Sequence, residues 1–203
     1  MINDIPSPID LRLMADALEW ESTAMSKRPW RTEFFACFSS AIKIAAPSGR
    51  VLELGSGPGF LADHLVRELP DISYVALDFS AAMNQLAVRR LGTHASRVRF
   101  IERSFREPNW PQGLGAFECV VTNQAVHELR HKVHALALHK QIKNIVSSGG
   151  IYLVCDHFAG DGGMKNAELY MSVAEQKAAL LEAGFSNVEQ LLLKGGLVLH
   201  HAT

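Results

Sequence analysis

The amino-acid sequence predicts an α/β fold built on a doubly wound, mainly parallel sheet. Short apolar runs alternate with stretches of helical periodicity from Arg50 onward. The runs lack the polar alternation of a one-sided sheet, so they predict buried strands that helices cover on both faces. A glycine cluster directly follows the first run, at the edge where open parallel sheets bind their ligands.

The predicted elements follow in a regular order. Apolar spacing between residues 8 and 45 predicts two helices, broken near Arg28 and Pro29. Further helices are predicted over 60–69, from an N-cap at Ser80 to 91, over 129–146 and over 171–183. Strands are predicted over 51–54, 73–78, 98–102, 117–122, 151–156, 188–193 and 197–201. The Lys194-Gly195-Gly196 segment predicts a hairpin between the last two strands.

The first strand leads into a loop with three glycines, Gly55, Gly57 and Gly59. Glycine lets the backbone of such a loop approach a ligand closely. The same kind of turn serves nicotinamide and flavin enzymes, so the glycines alone do not identify the ligand.

The side chains around the loop argue against a pyrophosphate. A dinucleotide loop needs glycine or alanine where this chain has Phe60, and Pro58 removes a backbone donor. Glu53 would repel a pyrophosphate but would suit a ligand with ammonium and sulfonium charges. Asp78, at the end of the second strand, can accept hydrogen bonds from a ribose diol.

At these residues the sequence resembles the class I S-adenosylmethionine-dependent methyltransferase family, especially its small-molecule members. The matching segments are VLELGSGPGF (51–60), VALDFS (75–80), VRFIERSF (98–105), FECVVTNQAVHEL (117–129) and GGIYLVCDH (149–157). The resemblance implies a Rossmann-like sheet of seven strands, with the last strand antiparallel between its neighbours. It also implies S-adenosyl-L-methionine as cofactor and in-line methyl transfer to a small-molecule acceptor.

The resemblance also implies a set of cofactor-binding residues. That set is Glu53, Gly55, Ser56, Gly57, Gly59, Asp78, Phe79, Met83, Ser104, Phe105 and Asn123. Many relatives carry an acidic residue where this chain has Ser104, so the adenine contact here would fall to Phe105. No metal site is expected.

Catalytic candidates follow the fourth and fifth strands. A base is needed when the acceptor is a hydroxyl or a protonated amine, and His127, Asp156 and His157 are the candidates; each of them could also simply line the pocket. The acceptor side is expected to be closed by Trp20, Met25, Trp30, Arg31 and residues 157–171.

Length and composition indicate one domain. With 203 residues and 48% hydrophobic content, the chain can bury one core, with 1–49 as a helical cap over the active site and 50–203 as the methyltransferase core. A net charge of -1 gives no attraction to a polyanion, so neither nucleic acid nor a membrane is an expected partner. Without a signal peptide or long apolar stretch, a cytoplasmic protein is expected, as a monomer or homodimer.

Four other interpretations stand beside this one. His127-Glu128-Leu129-Arg130-His131 matches the zinc-peptidase pattern, which we interpret as a chance match. Six arginines near the third strand could bind nucleic acid, but a solvated sheet edge is preferred; they are Arg89, Arg90, Arg97, Arg99, Arg103 and Arg106. A non-catalytic S-adenosylmethionine-binding protein and a nucleotide-dependent oxidoreductase remain as alternatives.

Overall fold

The computed structural model describes residues 3–203 and shows one seven-stranded sheet with helices on both faces. The helices are α1 (Met14–Lys27), α2 (Arg31–Ala45), α3 (Phe60–Glu68), α4 (Ala81–Leu91), α5 (Ala135–Ile145) and α6 (Val173–Glu182). The strands are β1 (Arg50–Leu54), β2 (Ser73–Asp78), β3 (Val98–Glu102), β4 (Phe117–Asn123), β5 (Val146–His157), β6 (Val188–Lys194) and β7 (Leu197–Ala202).

The strand order is β3-β2-β1-β4-β5-β7-β6. Neighbours pair in parallel from β3 to β5, whereas β7 pairs antiparallel with both β5 and β6. The predicted fold, with its antiparallel last strand inserted between two neighbours, is therefore confirmed. The order reverses between β1 and β4, which opens a crevice at their carboxyl ends.

Two hydrophobic cores cover the two faces of the sheet. Helices α2 and α3 pack on one face, where Phe34, Phe38 and Ile42 of α2 are fully buried. Helices α5 and α6 pack on the other face, around Ile142 and Leu180. Since α2 belongs to the same core as the sheet, it holds the amino-terminal segment firmly beside the carboxyl ends of the strands.

Two predicted helix starts were wrong. The first helix begins at Met14 rather than near Pro8, and α5 begins at Ala135 rather than near residue 129. Helix α5 starts later than predicted because Arg130, with a φ of 68°, ends a 3₁₀ turn before it. The Arg130 guanidinium donates to the carbonyls of Ile5 and Pro6, both at 2.8 Å, and this contact holds the unusual backbone.

The hairpin prediction is confirmed. Gly195 and Gly196 have φ values of 58° and 80°, which suit a tight turn between β6 and β7. A Cβ on Gly195 would lie 2.2 Å from the Trp30 ring, so this turn packs directly on the junction between α1 and α2.

The arginines near β3 are not simply a solvated edge. β3 does lie at the edge of the sheet, as predicted. Arg97 nevertheless donates to the carbonyls of Val66, Leu69 and Pro70, and Arg103 donates to backbone carbonyls in its own loop. These guanidiniums tie loops together, which a charge pattern cannot reveal.

In the described residues, no helix has the length and apolar character needed to cross a membrane.

Candidate functional site

The loop after β1 depends on three left-handed glycines. Gly55, Gly57 and Gly59 have φ values of 69°, 53° and 77°. A Cβ on Gly55 would lie 2.5 Å from that of Ala125, and one on Gly59 would lie 2.9 Å from that of Ala87. Nothing lies within 4 Å of a Cβ on Gly57, which therefore faces open space. Two glycines thus allow close packing, and the middle one leaves room for a ligand.

Asp78 holds this loop from the neighbouring strand. Its Oδ2 accepts from the Gly57 amide at 2.7 Å, and its Oδ1 accepts from the Ser80 amide at 2.9 Å. Burial raises the pKa of Asp78 to about 6, although these backbone hydrogen bonds oppose the rise. Ser80 in turn caps α4 by accepting from the Met83 amide at 3.1 Å, as predicted for the N-cap.

Glu53 lies beneath the loop and is only 1% exposed. Its Oε2 accepts a hydrogen bond from the Tyr74 hydroxyl at 2.7 Å. Burial raises the pKa of Glu53 to about 8. The carboxyl group is therefore ready to lose its proton when a cation binds beside it.

These residues line one cleft, whose volume is about 1110 Å³ when the solvent-filled entrance is included. Nine predicted cofactor residues contribute to it: Glu53, Gly55, Ser56, Gly57, Asp78, Phe79, Met83, Phe105 and Asn123. Gly59 does not line the cleft, because it begins α3 and packs against α4. Ser104 does not line it either; it faces a neighbouring cavity, and its Oγ accepts from the Arg106 amide at 3.2 Å.

The cleft has polar groups that no protein atom satisfies. Ser56 Oγ and Asn123 Oδ1 are buried and have no hydrogen-bond partner. Buried polar groups are normally paired, so these two atoms indicate a polar ligand. The two acids and the open space beside Gly57 suit a cationic nucleoside, and the residues therefore fit S-adenosylmethionine.

A charged histidine lies where β4 and β5 end. His127 Nδ1 is 2.7 Å from Asp156 Oδ1, and His127 Nε2 is 3.3 Å from Glu128 Oε1. Burial alone would lower the pKa of His127, but Asp156 and then Glu128 raise it to about 10. Burial would likewise raise the pKa of Asp156, but His127 holds it below its ordinary value. The raised pKa favours the protonated His127 ring, and both of its nitrogens face carboxylate oxygens.

His157 has the opposite charge state. Burial lowers its pKa to about 4, so the ring is neutral at neutral pH. Its Nδ1 is buried without a hydrogen-bond partner. The ring lines the cleft, with its centroid 5.2 Å from that of His127 and 5.6 Å from that of Tyr170.

The residues expected to close the acceptor side divide into two groups. Trp20 and Arg31 line the cleft. Met25 and Trp30 do not, because they pack against the core formed by α2 and α3.

The sequence interpretation did not name Arg28 and Gln124, which line the cleft, as do Met164 and Tyr170. Met164 and Tyr170 do fall within the segment 157–171 that was expected to close this side. Arg28 is the C-cap of α1, and in the sequence it was noted only as part of the break between the first two helices. Gln124 has a φ of 58°, and no pattern in the sequence predicts this left-handed backbone.

The zinc-peptidase spacing does not have the required geometry. His127 lies in a 3₁₀ turn, whereas His131 lies beyond Arg130 in extended conformation. The two rings therefore do not share one face of an α-helix. In residues 3–203, no group of three His, Cys, Asp or Glu is arranged to hold a metal ion.

The sheet topology defines a doubly wound α/β protein, and its acidic glycine cleft fits a sulfonium nucleoside. Residues 51–150 match the family model described as a methyltransferase domain. The chain belongs to the class I S-adenosylmethionine-dependent methyltransferase family, and S-adenosyl-L-methionine is its cofactor.

Two curated relatives carry methyltransferase names. The malonyl-[acyl-carrier protein] O-methyltransferase of Legionella pneumophila is 35% identical over 78 residues, which are 38% of this chain and 26% of the relative. The 2,7-dihydroxy-5-methyl-1-naphthoate 7-O-methyltransferase of Streptomyces carzinostaticus is 30% identical over 117 residues, 57% of this chain and 34% of the relative. The matched part of this chain thus spans about a quarter to a third of these proteins.

A solved structure shares the fold over almost its whole length. The DhpI complex with SAM and HEP covers 94% of this chain and 93% of DhpI, with a TM-score of 0.70. The sequence identity is 19%, so this likeness concerns the fold.

Proposed function

We propose that this chain transfers the methyl group of S-adenosylmethionine to an oxygen atom of a small acceptor, with His157 as the proton acceptor. The observation that carries the proposal is the neutral, buried His157 ring, which lines the same cleft as the glycine loop. The names of both curated relatives specify O-methylation, which supports an oxygen acceptor.

The three catalytic candidates take different roles in this proposal. His127 cannot accept a proton, because its protonated ring is held by Asp156 and Glu128. Asp156 keeps His127 charged and oriented, and its Oδ1 also accepts from the His157 amide at 2.7 Å. The His157 ring lines the cleft and its Nδ1 has no hydrogen-bond partner, so we assign the hydroxyl proton of the acceptor to this ring.

The cofactor, when bound, supplies an already activated methyl group. The chain's own task is to orient the acceptor and to exclude water. Asp78 fixes the loop, and Glu53 offers negative charge when it ionises. Trp20, Arg31 and Tyr170 line the acceptor end of the cleft.

Transfer of labelled methyl groups tests the proposal. The protein is incubated with ¹³C-methyl S-adenosylmethionine and separately with the small-molecule, protein and nucleic-acid fractions of a cell extract. We expect label in the small-molecule fraction, with a methoxy carbon signal by NMR. Label confined to protein or nucleic acid, or to N-, S- or C-methyl carbons, would contradict the proposal. Binding of the cofactor without any transfer would instead support the non-catalytic alternative.

A further inference from the structure

Two arginines line the acceptor end of the cleft without a carboxylate partner. Arg28 ends α1 and is half-buried, whereas Arg31 begins α2 and is only 4% exposed. Within residues 3–203, neither guanidinium forms an ion pair with Asp or Glu. Both face the same cavity, so two like charges meet where water is partly excluded.

The Arg31 guanidinium is held but not satisfied. Its Nη2 donates to Gln124 Oε1 at 2.9 Å, and its carbon lies 5.4 Å from the centre of the Trp20 ring. Its Nε is buried and has no hydrogen-bond partner. Burial first, and then the charge of Arg28, lower the pKa of Arg31 to about 10, so the group stays charged at neutral pH.

The acids of the cleft are already engaged. Glu53 bonds to Tyr74, Asp78 bonds to backbone amides, and Glu128 pairs with Arg130 and His127. A buried charge without a partner is costly, and a guanidinium presents a fork of donors that matches an oxyanion. An anionic ligand in the cleft would supply the partner that these acids do not.

The position of Arg28 indicates which ligand carries the anion. Arg28 lines the cleft together with His157 and Tyr170, which we assign to the acceptor side. Glu53 and Asp78 line the same cleft beside the glycine loop, where a cationic nucleoside would lie. An acceptor anion at the arginines would bring the acceptor beside the proton-accepting His157.

We propose that Arg28 and Arg31 form an oxyanion subsite for a carboxylate group of the methyl acceptor. The inference rests on the proposed function and narrows its substrate class to anionic compounds. The rings of Trp20 and Tyr170 line the same end and favour an aromatic acid.

A titration of two isosteres tests the subsite. Benzoate and benzamide are titrated calorimetrically into the protein saturated with S-adenosylhomocysteine. We expect benzoate to bind at least about tenfold more tightly, because charge-assisted hydrogen bonds are roughly twice as strong as neutral ones. Equal binding of both compounds, or no benzoate binding, overturns the inference.

Substitutions locate the preference. Arg28→Met should reduce benzoate affinity about tenfold or more without lowering the melting temperature, and it should affect S-adenosylhomocysteine affinity less than benzoate affinity. Lys27→Met is the matched control, since Lys27 is exposed and does not line the cleft. An Arg28→Met variant that still prefers benzoate overturns the assignment even if Arg31→Met fails to fold.

The amino-acid carboxylate of the cofactor is the other source of an oxyanion. Binding of S-adenosylhomocysteine and of 5′-methylthioadenosine, which lacks that carboxylate, separates the two sources. Both arginine variants could weaken the binding of S-adenosylhomocysteine and leave the binding of methylthioadenosine and of benzoate unchanged. In that case the subsite binds the carboxylate of the cofactor, and the inference fails. Failure of the unaltered protein to bind S-adenosylhomocysteine would instead contradict the proposed function.

Discussion

His157 and His127 differ in charge although their rings are neighbours. His127 is flanked by two carboxylates, which outweigh the effect of burial on its pKa. His157 has a buried Nδ1 without a partner, so burial decides its pKa. The same residue type thus provides a fixed positive charge and a neutral base within one cleft.

We predict that His157→Gln lowers kcat by about 10² to 10⁴, the usual contribution of a positioned base, with little change in KM. In the unaltered protein, the acid limb of kcat should lie at low pH, because the pKa of His157 is about 4. Steady-state kinetics from acidic to alkaline pH measure both effects. An acceptor that is already ionised should partly restore the variant, whereas an unchanged kcat with a neutral acceptor would show that His157 only lines the pocket.

Glu53 gives cofactor binding a predicted pH dependence. A carboxyl group whose pKa is raised to about 8 must lose its proton to attract a cation, so affinity should rise as the pH increases from about 6 to about 8. The Asp78 pKa of about 6 contributes to the lower part of this range. Calorimetry with S-adenosylhomocysteine across these pH values measures the effect.

Glu53→Gln is the matched variant, because it keeps the shape but cannot ionise. Its affinity should be weaker at pH 8 and should vary less with pH from 7 to 8. If the variant and the unaltered protein show the same pH profile, Glu53 does not face the cationic part of the cofactor.

At the scale of elements, the junction between α1 and α2 connects the cleft to the hairpin. Arg28 and Arg31 lie on either side of Trp30, and Trp30 packs against Gly195. The hairpin between β6 and β7 therefore supports the helix junction that carries both arginines.

We predict that Gly195→Ala destabilises the fold by more than the ~1–2 kcal/mol expected for a left-handed non-glycine residue. The added Cβ would lie 2.2 Å from the Trp30 ring at a φ of 58°. Gly162→Ala is the control, since its φ is 75° and nothing lies within 4 Å of a Cβ there. Urea unfolding measures the free energy of unfolding of both variants. Equal losses in the two variants would show that the hairpin does not pack tightly against Trp30.

The element pattern was largely predictable, but the contents of the cleft were only partly so. Strands and the hairpin follow from apolar runs and glycines, which act locally. The helix start at Ala135 was not predictable, because Arg130 takes its left-handed backbone from contacts with Ile5 and Pro6, far away in sequence. Arg28 and Gln124 were missed for a similar reason: only the tertiary fold brings them to the cleft.

Ser104 and Gly59 illustrate the limits of carrying positions over from a family pattern. The turn after β3 directs Ser104 into a neighbouring cavity. Gly59 is needed for its left-handed start of α3 and for its close approach to Ala87, rather than for room beside a ligand. A motif indicates the loop, and geometry decides which of its residues face the cleft.

At the scale of the whole molecule, buried neutral histidines set the response to acid. His200 on β7 is 1% exposed, and neither ring nitrogen has a hydrogen-bond partner. Burial lowers its pKa from 6.5 to about 4. Between these two pKa values the imidazole is protonated in the unfolded chain but neutral in the folded chain. The folded state therefore loses stability as the pH falls below about 6.5.

We predict that His200→Leu flattens the pH dependence of stability. When the pH falls from 7.5 to 5, this histidine should lower the free energy of unfolding of the unaltered protein by about 2 kcal/mol, since each pKa unit corresponds to ~1.4 kcal/mol. The leucine variant lacks that loss. Urea unfolding at both pH values measures the difference, and parallel losses in the two proteins would contradict the prediction.

The central claim is that the acidic glycine cleft binds the adenosyl sulfonium cofactor, and calorimetric titration with S-adenosylhomocysteine and NAD tests it most directly. S-adenosylhomocysteine should bind the unaltered protein, whereas NAD should not. Asp78→Ala should weaken the binding of S-adenosylhomocysteine by ~1–3 kcal/mol. Gly57→Val should abolish this binding, and the left-handed backbone at Gly57 should also lower the stability of a chain that still folds. Unchanged affinity in both variants, or binding of NAD in place of S-adenosylhomocysteine, would contradict the central claim.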